Sequence, residues 1–470
     1  MRAPLGRVIC FLVLAASGSA LWGQQTAQGE GQPASQDQGM TLTIEHAISQ
    51  ALANQPLIQQ AQAAVEAAKA RVGQANSAYY PFVSGSAGYD LLSNQSFEIS
   101  ALIPLQQLGI QVPANIATYL NTPFSLVPVN AWDFHIGLNQ VIFEFGKRGV
   151  QVRLAESGLA AAQIGVEQIR MSLAFQAAQG FYSVLFLTGQ LSAIDEQLAN
   201  LQEHLTATQA KAQAGSATKY DELATEVRIS TLQSQRIDAQ NQLDKQTIAF
   251  KQLLGITEPT PVELSGDFAA DTNGPSEEQA LIDAAMAQRP EVKQAVEAER
   301  AAELSQRLAT MNGWPTISGH ASFGYKNGIL PDINTPVLNW VAGVQVSVPI
   351  FEGFLINQQS EEATKKLLSA RENTLAVKRM VTTQVLQALQ DVNAGRDQVE
   401  SAQTQLQQAK DMLEVVKLQY DLGILTNLEY LDAQASLERA QLGSLLSQYR
   451  EVLSEYALKQ TTATPIWQVQ

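Results

Sequence analysis

Ala51-Leu52-Ala53-Asn54-Gln55-Pro56 returns as Ala285-Met286-Ala287-Gln288-Arg289-Pro290, and the fold follows from that return. The shift of 234 residues that superposes the two stretches also places Pro81 on Pro315 and Ser84-Gly85 on Ser318-Gly319. Of the 39 ungapped pairs from Ala51/Ala285 to Tyr89/Phe323, thirteen are identical. Further along the shift becomes 208, with Trp132 on Trp340, Phe143-Glu144 on Phe351-Glu352, Gly215 on Gly423 and Thr218 on Thr426. The difference of 26 residues is an insertion confined to roughly 90–131. Self-similarity over a long fixed period marks a structural unit written more than once. The 470 residues are one unit written twice, where length alone suggests about three domains.

Each copy reads helix, strand, loop, strand, very long helix, tight turn, helix. The long helix of copy one is expected over about 149–214, free of proline and roughly 99 Å long at 1.5 Å per residue. Within it Leu191, Ile194, Leu198, Leu201, Leu205, Thr208 and Ala212 recur at alternating spacings of three and four, as do Val399, Ala402, Leu406, Ala409, Leu413, Val416 and Tyr420 in copy two. Such spacing is a coiled-coil seam. Gly215-Ser-Ala-Thr218 and Gly423-Ile-Leu-Thr426 end the long helices, glycine supplying a left-handed C-terminal cap and threonine the next N-cap. The return helix (219–255) and the opening helix (55–79) together nearly match the long helix in length, so two short helices end to end can line one long one.

Four segments of period two lie between the helices, at about 82–90, 132–143, 315–325 and 340–350. Ile317, Gly319, Ala321, Phe323 and Tyr325 alternate with Thr316, Ser318, His320, Ser322 and Gly324, and Trp340, Ala342, Val344, Val346 and Val348 share one face of the last segment. Aromatics bracket the set: Tyr80 and Trp314 before the first and third strands, Trp132 and Trp340 at the other rim, Phe143 and Phe351 after the second and fourth. Alternating segments near ten residues with aromatic girdles are the pattern of a transmembrane β-barrel. Soluble hairpins packed on helices are the plainer reading of the alternation. Four strands cannot close alone, and an open sheet edge is not tolerated in lipid. Two chains give eight strands with a filled interior; three give twelve and a lumen.

Composition narrows the chemistry. A net charge of -15 argues against nucleic acid, and one cysteine excludes a disulfide scaffold or a cysteine-based metal site. His46, His135, His204 and His320 are scattered and read as solvated or structural; the methionines are scattered too, and no Walker loop, H-E-x-x-H or nucleophile elbow occurs. No catalytic residue, cofactor or metal is therefore expected. Arg2, Arg7, the apolar run Val8 to Ala16 and Gly18-Ser19-Ala20 read as a signal peptide over 1–23, followed by a disordered leader over 24–40. The first repeat is expected over 41–256, a linker over 257–275, the second repeat over 276–463 and a tail over 464–470. No later run of 18 apolar residues predicts a membrane-spanning helix.

Taken in order, the export signal, the duplicated plan, Pro56/Pro290, Tyr80-Pro81, Trp314-Pro315 and the run Leu422-Gly423-Ile-Leu-Thr426-Asn-Leu-Glu429-Tyr-Leu-Asp432-Ala resemble the TolC-like outer membrane efflux proteins, across essentially all of Thr41 to Ala463. The resemblance implies a mainly α homotrimer with a small β part: a 12-stranded barrel in outer membrane lipid continuing into a 12-helix tunnel across the periplasm. It implies a passive conduit for drugs or proteins, docked on a periplasmic adaptor and energised by an inner-membrane pump or ABC exporter. The turns with Gly215, Thr218, Gly423 and Thr426 become adaptor contacts. Asp221, Glu429 and Asp432, just after the turns, become rings of charge at the periplasmic entrance, and Tyr420 matches a tyrosine of the family's closure network. Leu425 stands where some relatives carry a gate-locking arginine, so weaker locking is expected. Acids in a first helical turn also complement the helix dipole, which explains Asp221 equally well. The competing reading is a periplasmic coiled-coil tether without a pore. The enlarged loop, with Pro104, Pro113, Pro123 and Pro128, is expected outside the cell.

Overall fold

A computed structural model of the chain describes residues 40–93, 96–97, 108–125, 127–256, 262–269, 277–330 and 332–466. The signal peptide, nearly all of the leader, Pro104 and the last four residues lie outside these. The elements run β1 (Met40–Leu42), α1 (Ile44–Asn54), α2 (Pro56–Ser77), β2 (Phe82–Leu91), β3 (Ser96–Phe97), α3 (Ala114–Leu120), β4 (Phe124–Ser125), β5 (Asn130–Phe143), α4 (Lys147–Gln213), α5 (Lys219–Leu254), β6 (Val262–Leu264), α6 (Glu278–Gln288), α7 (Pro290–Met311), β7 (Thr316–Lys326), β8 (Val337–Ser347), α8 (Leu355–Asp421) and α9 (Asn427–Thr461).

The two 67-residue helices α4 and α8, each about 100 Å long, are the frame. α4 is flanked by α2 and α5 on one side and by α7 and α9 on the other, and α8 packs on α7 and α9. The result is a layer four helices wide, in which pairs of short helices alternate with single long ones. Pro56 and Pro290 occupy the first turn of α2 and α7, where a missing N–H costs nothing, and they force the break from the preceding helix. At the joint between short helices, the amides of Asn54 and Gln55 donate to the last carbonyls of α5: Leu254 at 3.2 Å, Leu253 at 2.6 Å and Gln252 at 3.2 Å. Those are the carbonyls a helix end leaves without partners. The largest apolar cluster sits beside this joint, where Leu42, Ile48, Phe181, Tyr182, Phe250, Leu254 and Val452 are buried together.

Ile194, Leu198 and Leu201 of the expected seam are buried in one cluster with Ile229, Leu232 and Ala239 of α5, with Leu191 and Leu205 at its border. In copy two Ala409 is buried, while Val399, Ala402, Leu406, Leu413 and Val416 are half-buried, because one side of α8 has no neighbour within the chain.

β2, β5, β7 and β8 form one antiparallel sheet in that order, and both edges, β2 and β8, are open within the chain. The register aligns alternate residues into two faces. One carries Val83, Tyr89, Trp132, Phe134, Ile136, Leu138, Phe323, Tyr325, Leu338, Trp340, Val344 and Val346, all exposed. The other carries Ser84, Ser86, Asp90, Asp133, His135, Asn139, Ser318, His320, Ser322, Asn339 and Gln345.

Three expectations shift. The second strand begins at Asn130 rather than 132, and the fourth runs Val337–Ser347 rather than 340–350, stopping short of Pro349, which has no N–H for a ladder. Trp340 therefore sits three residues inside β8, opposite Phe323, instead of at its end. Met40 of the leader and Val262–Leu264 of the linker are not loose: β1 and β6 pair in parallel beside the mid-length core. Three-residue strands are too short for period two to show.

Channel entrance and membrane face

At the far end of the helices the two turns share one geometry. Gly215 (φ 77°) and Gly423 (φ 76°) adopt the left-handed conformation that glycine takes without strain. Ser216 N–H donates to the Lys211 carbonyl at 2.9 Å and Gly215 N–H to Ala212 at 3.0 Å; Ile424 to Gln419 (2.9 Å) and Gly423 to Tyr420 (3.1 Å) repeat the pair. This double bond closes the last turn of each long helix. Thr218 and Thr426 then cap α5 and α9. Asp221 N–H donates to Thr218 Oγ1 at 3.3 Å while Thr218 N–H donates to Asp221 Oδ2 at 2.9 Å. Glu429 and Thr426 do the same at 3.4 and 2.7 Å. Both are complete capping boxes.

Asp221 and Glu429 thus have a structural duty at the tip. The Thr426 N–H and hydroxyl hold the Glu429 carboxyl below the usual carboxylate range. Glu429 is turned back onto Thr426, and Asp432 stands exposed one turn further along α9. The tips differ in surface. Copy two exposes Leu422, Ile424 and Leu428, where copy one has Ala214, Ser216 and Tyr220.

Behind the tip lies a polar cluster that the apolar pattern did not reveal. Gln197 and His204 join Leu201 and Thr208 of the expected seam in a buried row on α4 that faces α9. The His204 ring stacks on Tyr430, centroids 4.0 Å apart, and lies 5.2 Å from Tyr420. Asn427 Nδ2 donates to the Asp221 carbonyl (3.0 Å) and to Thr225 Oγ1 (3.3 Å), so Asn427 Oδ1 is the acceptor facing His204 Nε2 at 2.7 Å, and the imidazole proton belongs on Nε2. Gln434 donates to Tyr430 Oη at 2.8 Å and accepts from Gln197 at 2.5 Å. Arg228 reaches the buried Glu438 at 2.5 Å. Burial lowers the His204 pKa and raises that of Tyr430. Tyr420 belongs to this cluster: its hydroxyl is 3.5 Å from Thr208 Oγ1, and Lys211 Nζ lies 3.9 Å over its ring. The cluster joins α4, α5, α8 and α9 within one chain. Gln197 and His204 fall at spacings of three and four from Leu201 and Thr208, and their polarity kept those two out of the apolar pattern.

At the opposite end, Trp132 packs on Tyr89 at 4.4 Å and on Phe134 at 6.0 Å. Where strands give way to helices, Phe143, Phe145 and Trp314 form a chain of edge-to-face contacts at 4.7 and 5.9 Å, and Phe351 meets Phe354 at 5.3 Å. Tyr80 is exposed at the same level, before β2. Trp132 and Phe143 are eleven residues apart on β5, or ~37 Å along the strand and ~28 Å after a 40° tilt, the height of an apolar barrel band.

The family model for outer membrane efflux proteins matches residues 47–256 and 281–464, one match to each copy. The chain belongs to that family. It is an outer membrane efflux protein. It is 22% identical over 347 residues to the outer membrane protein TolC of Escherichia coli, covering 71% of this chain and 70% of that one. It is 25% identical over 332 residues to the outer membrane efflux protein BepC of Brucella suis, covering 70% and 71%. Among solved structures, the CmeC outer membrane channel of Campylobacter jejuni superposes with a TM-score of 0.73 over 89% of this chain and 85% of that one, at 20% identity. Efflux proteins of this fold are mainly helical with a small sheet, as here.

Proposed function

We propose that three copies assemble into a closed 12-stranded barrel set on a 12-helix tunnel, forming a passive conduit energised by partners. The observation that carries this reading is a four-stranded sheet with one face apolar between Asn130 and Gln140 of β5 and, among the described residues, two open edges. Burying twelve such side chains in lipid stabilises the assembly by on the order of 20–30 kcal/mol, and closure alone satisfies the edge N–H and C=O groups. Exposed stripes on the outer helices support the same ring: Tyr220, Leu223 and Val227 on α5, and Val415 and Leu418 on α8 with Leu422 at its C-cap. A tether without a pore would leave the apolar face in water.

The tips, led by Gly215, Thr218, Gly423 and Thr426, are the ground for a periplasmic adaptor, with an inner-membrane pump or ABC exporter beyond it. Transport along such a path needs no catalytic side chain, and among the described residues no group of three His, Cys, Asp or Glu side chains is placed to hold a metal. Asp432, threefold repeated, is the charge that faces permeating ions at the entrance, with Glu429 a lesser contributor because its carboxylate is engaged. Purified protein is expected to run as a heat-modifiable trimer and to conduct in planar bilayers. Asp432→Asn should lower cation preference more than Glu429→Gln. A monomer without conductance overturns the assembly, and unchanged selectivity in both variants overturns the entrance ring.

A further inference from the structure

The polar face of the sheet holds two of the chain's four histidines, His135 on β5 and His320 on β7, both exposed. In a barrel with the apolar face outward, that face lines the pore. His135 is bounded by Ser86 of β2, whose Oγ lies 2.9 Å from Nε2, and by Gly324 of β7; Asp133 Oδ1 lies 2.7 Å from its Nδ1. His320 is bounded by Asn139 of β5 and by Gly343 of β8. Its imidazole lies directly over Gly343: a Cβ there would come within 2.9 Å of Cε1 and Nε2. The glycine lets the ring lie along the wall instead of standing across the lumen.

The other ionisable groups on this face are few. Asp90 on β2, Asp133 on β5 and Lys326 on β7 share it, while the corresponding positions of β8 are Val337, Asn339, Val341, Gly343, Gln345 and Ser347. Whatever register joins β8 to the β2 of a neighbouring copy, β8 therefore adds no charge. With both imidazoles neutral, two carboxylates against one ammonium leave one net negative charge per chain. With both protonated the balance becomes one net positive charge. Three copies multiply either value by three.

We propose that His135 and His320 form an acid-sensitive charge switch on the pore wall, favouring cationic solutes near neutrality and anionic solutes in mildly acidic medium. Imidazole is the side chain that changes charge between pH 8 and 5, whereas aspartate and lysine keep theirs. Rings of side-chain charge set which ions a pore favours. The switch rests on the pore reading above and adds a selectivity determinant to it.

The test is the reversal potential of the full-length protein in planar bilayers under a potassium chloride gradient at pH 8 and pH 5. The wild type and a His135→Gln/His320→Gln variant are compared, both checked for the heat-modifiable trimer. The potassium-to-chloride permeability ratio of the wild type is expected to fall about twofold or more on acidification, and the double variant is expected to lose most of that fall. Each single variant should keep about half of it. A wild type with no pH response, or a double variant that responds as strongly as the wild type, overturns the proposal. Absence of any conductance overturns the pore itself, a separate outcome.

Discussion

The seam inside the chain and the seam at its edge are made from the same duplicated helices, yet they share almost no side chains. Inside, α4 meets α9 through His204, Gln197, Asn427, Tyr430 and Gln434. Shifted by 208 residues, these become Met412, Gln405, Lys219, Glu222 and Glu226 on α8 and α5, the two helices left open at the edges of the layer. The residues that build the backbone are repeated faithfully: Gly215 and Gly423, Thr218 and Thr426, Asp221 and Glu429. Each copy must make its own turn, so turn chemistry is kept. Only one seam is permanently buried within a chain, so only there does an interlocked polar network form. The edge seam is charged and solvated in the single chain, and in the assembly proposed above it would be made between copies.

That contrast can be broken by experiment. The largest effect is expected from Asn427→Leu, which removes the buried acceptor of His204 Nε2–H while Thr225 and the Asp221 carbonyl keep each other; a loss of about 1–3 kcal/mol should appear as a lowered thermal midpoint. The matching change at the edge, Lys219→Leu, removes an exposed ion pair with Glu222 and should leave the thermal midpoint nearly unchanged. Equal losses would mean the two seams are equivalent after all. Thr218→Ala and Thr426→Ala should each cost about 1 kcal/mol, alike in both copies, because both capping boxes are complete. A marked inequality would show that one turn depends on its surface rather than its cap.

Acid offers a finer probe. Burial depresses the His204 pKa in the folded protein, so the unfolded chain takes up the proton first, and stability should fall as pH drops below about 6.5 and continue falling toward the depressed folded value. Denaturation midpoints at pH 7.5 and 5.5 should reveal this loss, and His204→Gln should flatten it. Met412, its counterpart, has nothing to titrate. The smallest effect belongs to Glu429: its depressed pKa means that its cap contributes above the ordinary carboxylate range and is lost only as pH falls below it. A pH 4 to 3 titration of thermal midpoints in wild type and Glu429→Gln would register it.

The sequence made the frame legible because repetition, glycine and proline act locally. Pro56, Pro290, Gly215 and Gly423 each dictate a backbone event within a few residues, and each event occurs where it was expected. The aromatics that bracket the strands lie at strand ends for the same reason, apart from Trp340, whose depth depends on where β8 starts. What stayed hidden needed a partner from far along the chain. Three-residue β1 finds β6 more than 200 positions away, and Asn427 has its meaning only beside His204. Position in the sequence singled out the acids after the turns, but not which of them a cap engages. Only the capping distances separate the engaged Glu429 from the exposed Asp432.

The joint at Asn54 and Gln55 makes α2 and α5 a single column with a cut in it. Three side-chain hydrogen bonds span the cut, and the backbone joins α5 to α2 only by the long way round, through α4 and the strands. Only α4 and α8 run unbroken from the strands to the tip. They are axles, and α5 is a blade hung on one of them. The capped turn from Gly215 to Thr218 is the covalent joint between that blade and its axle.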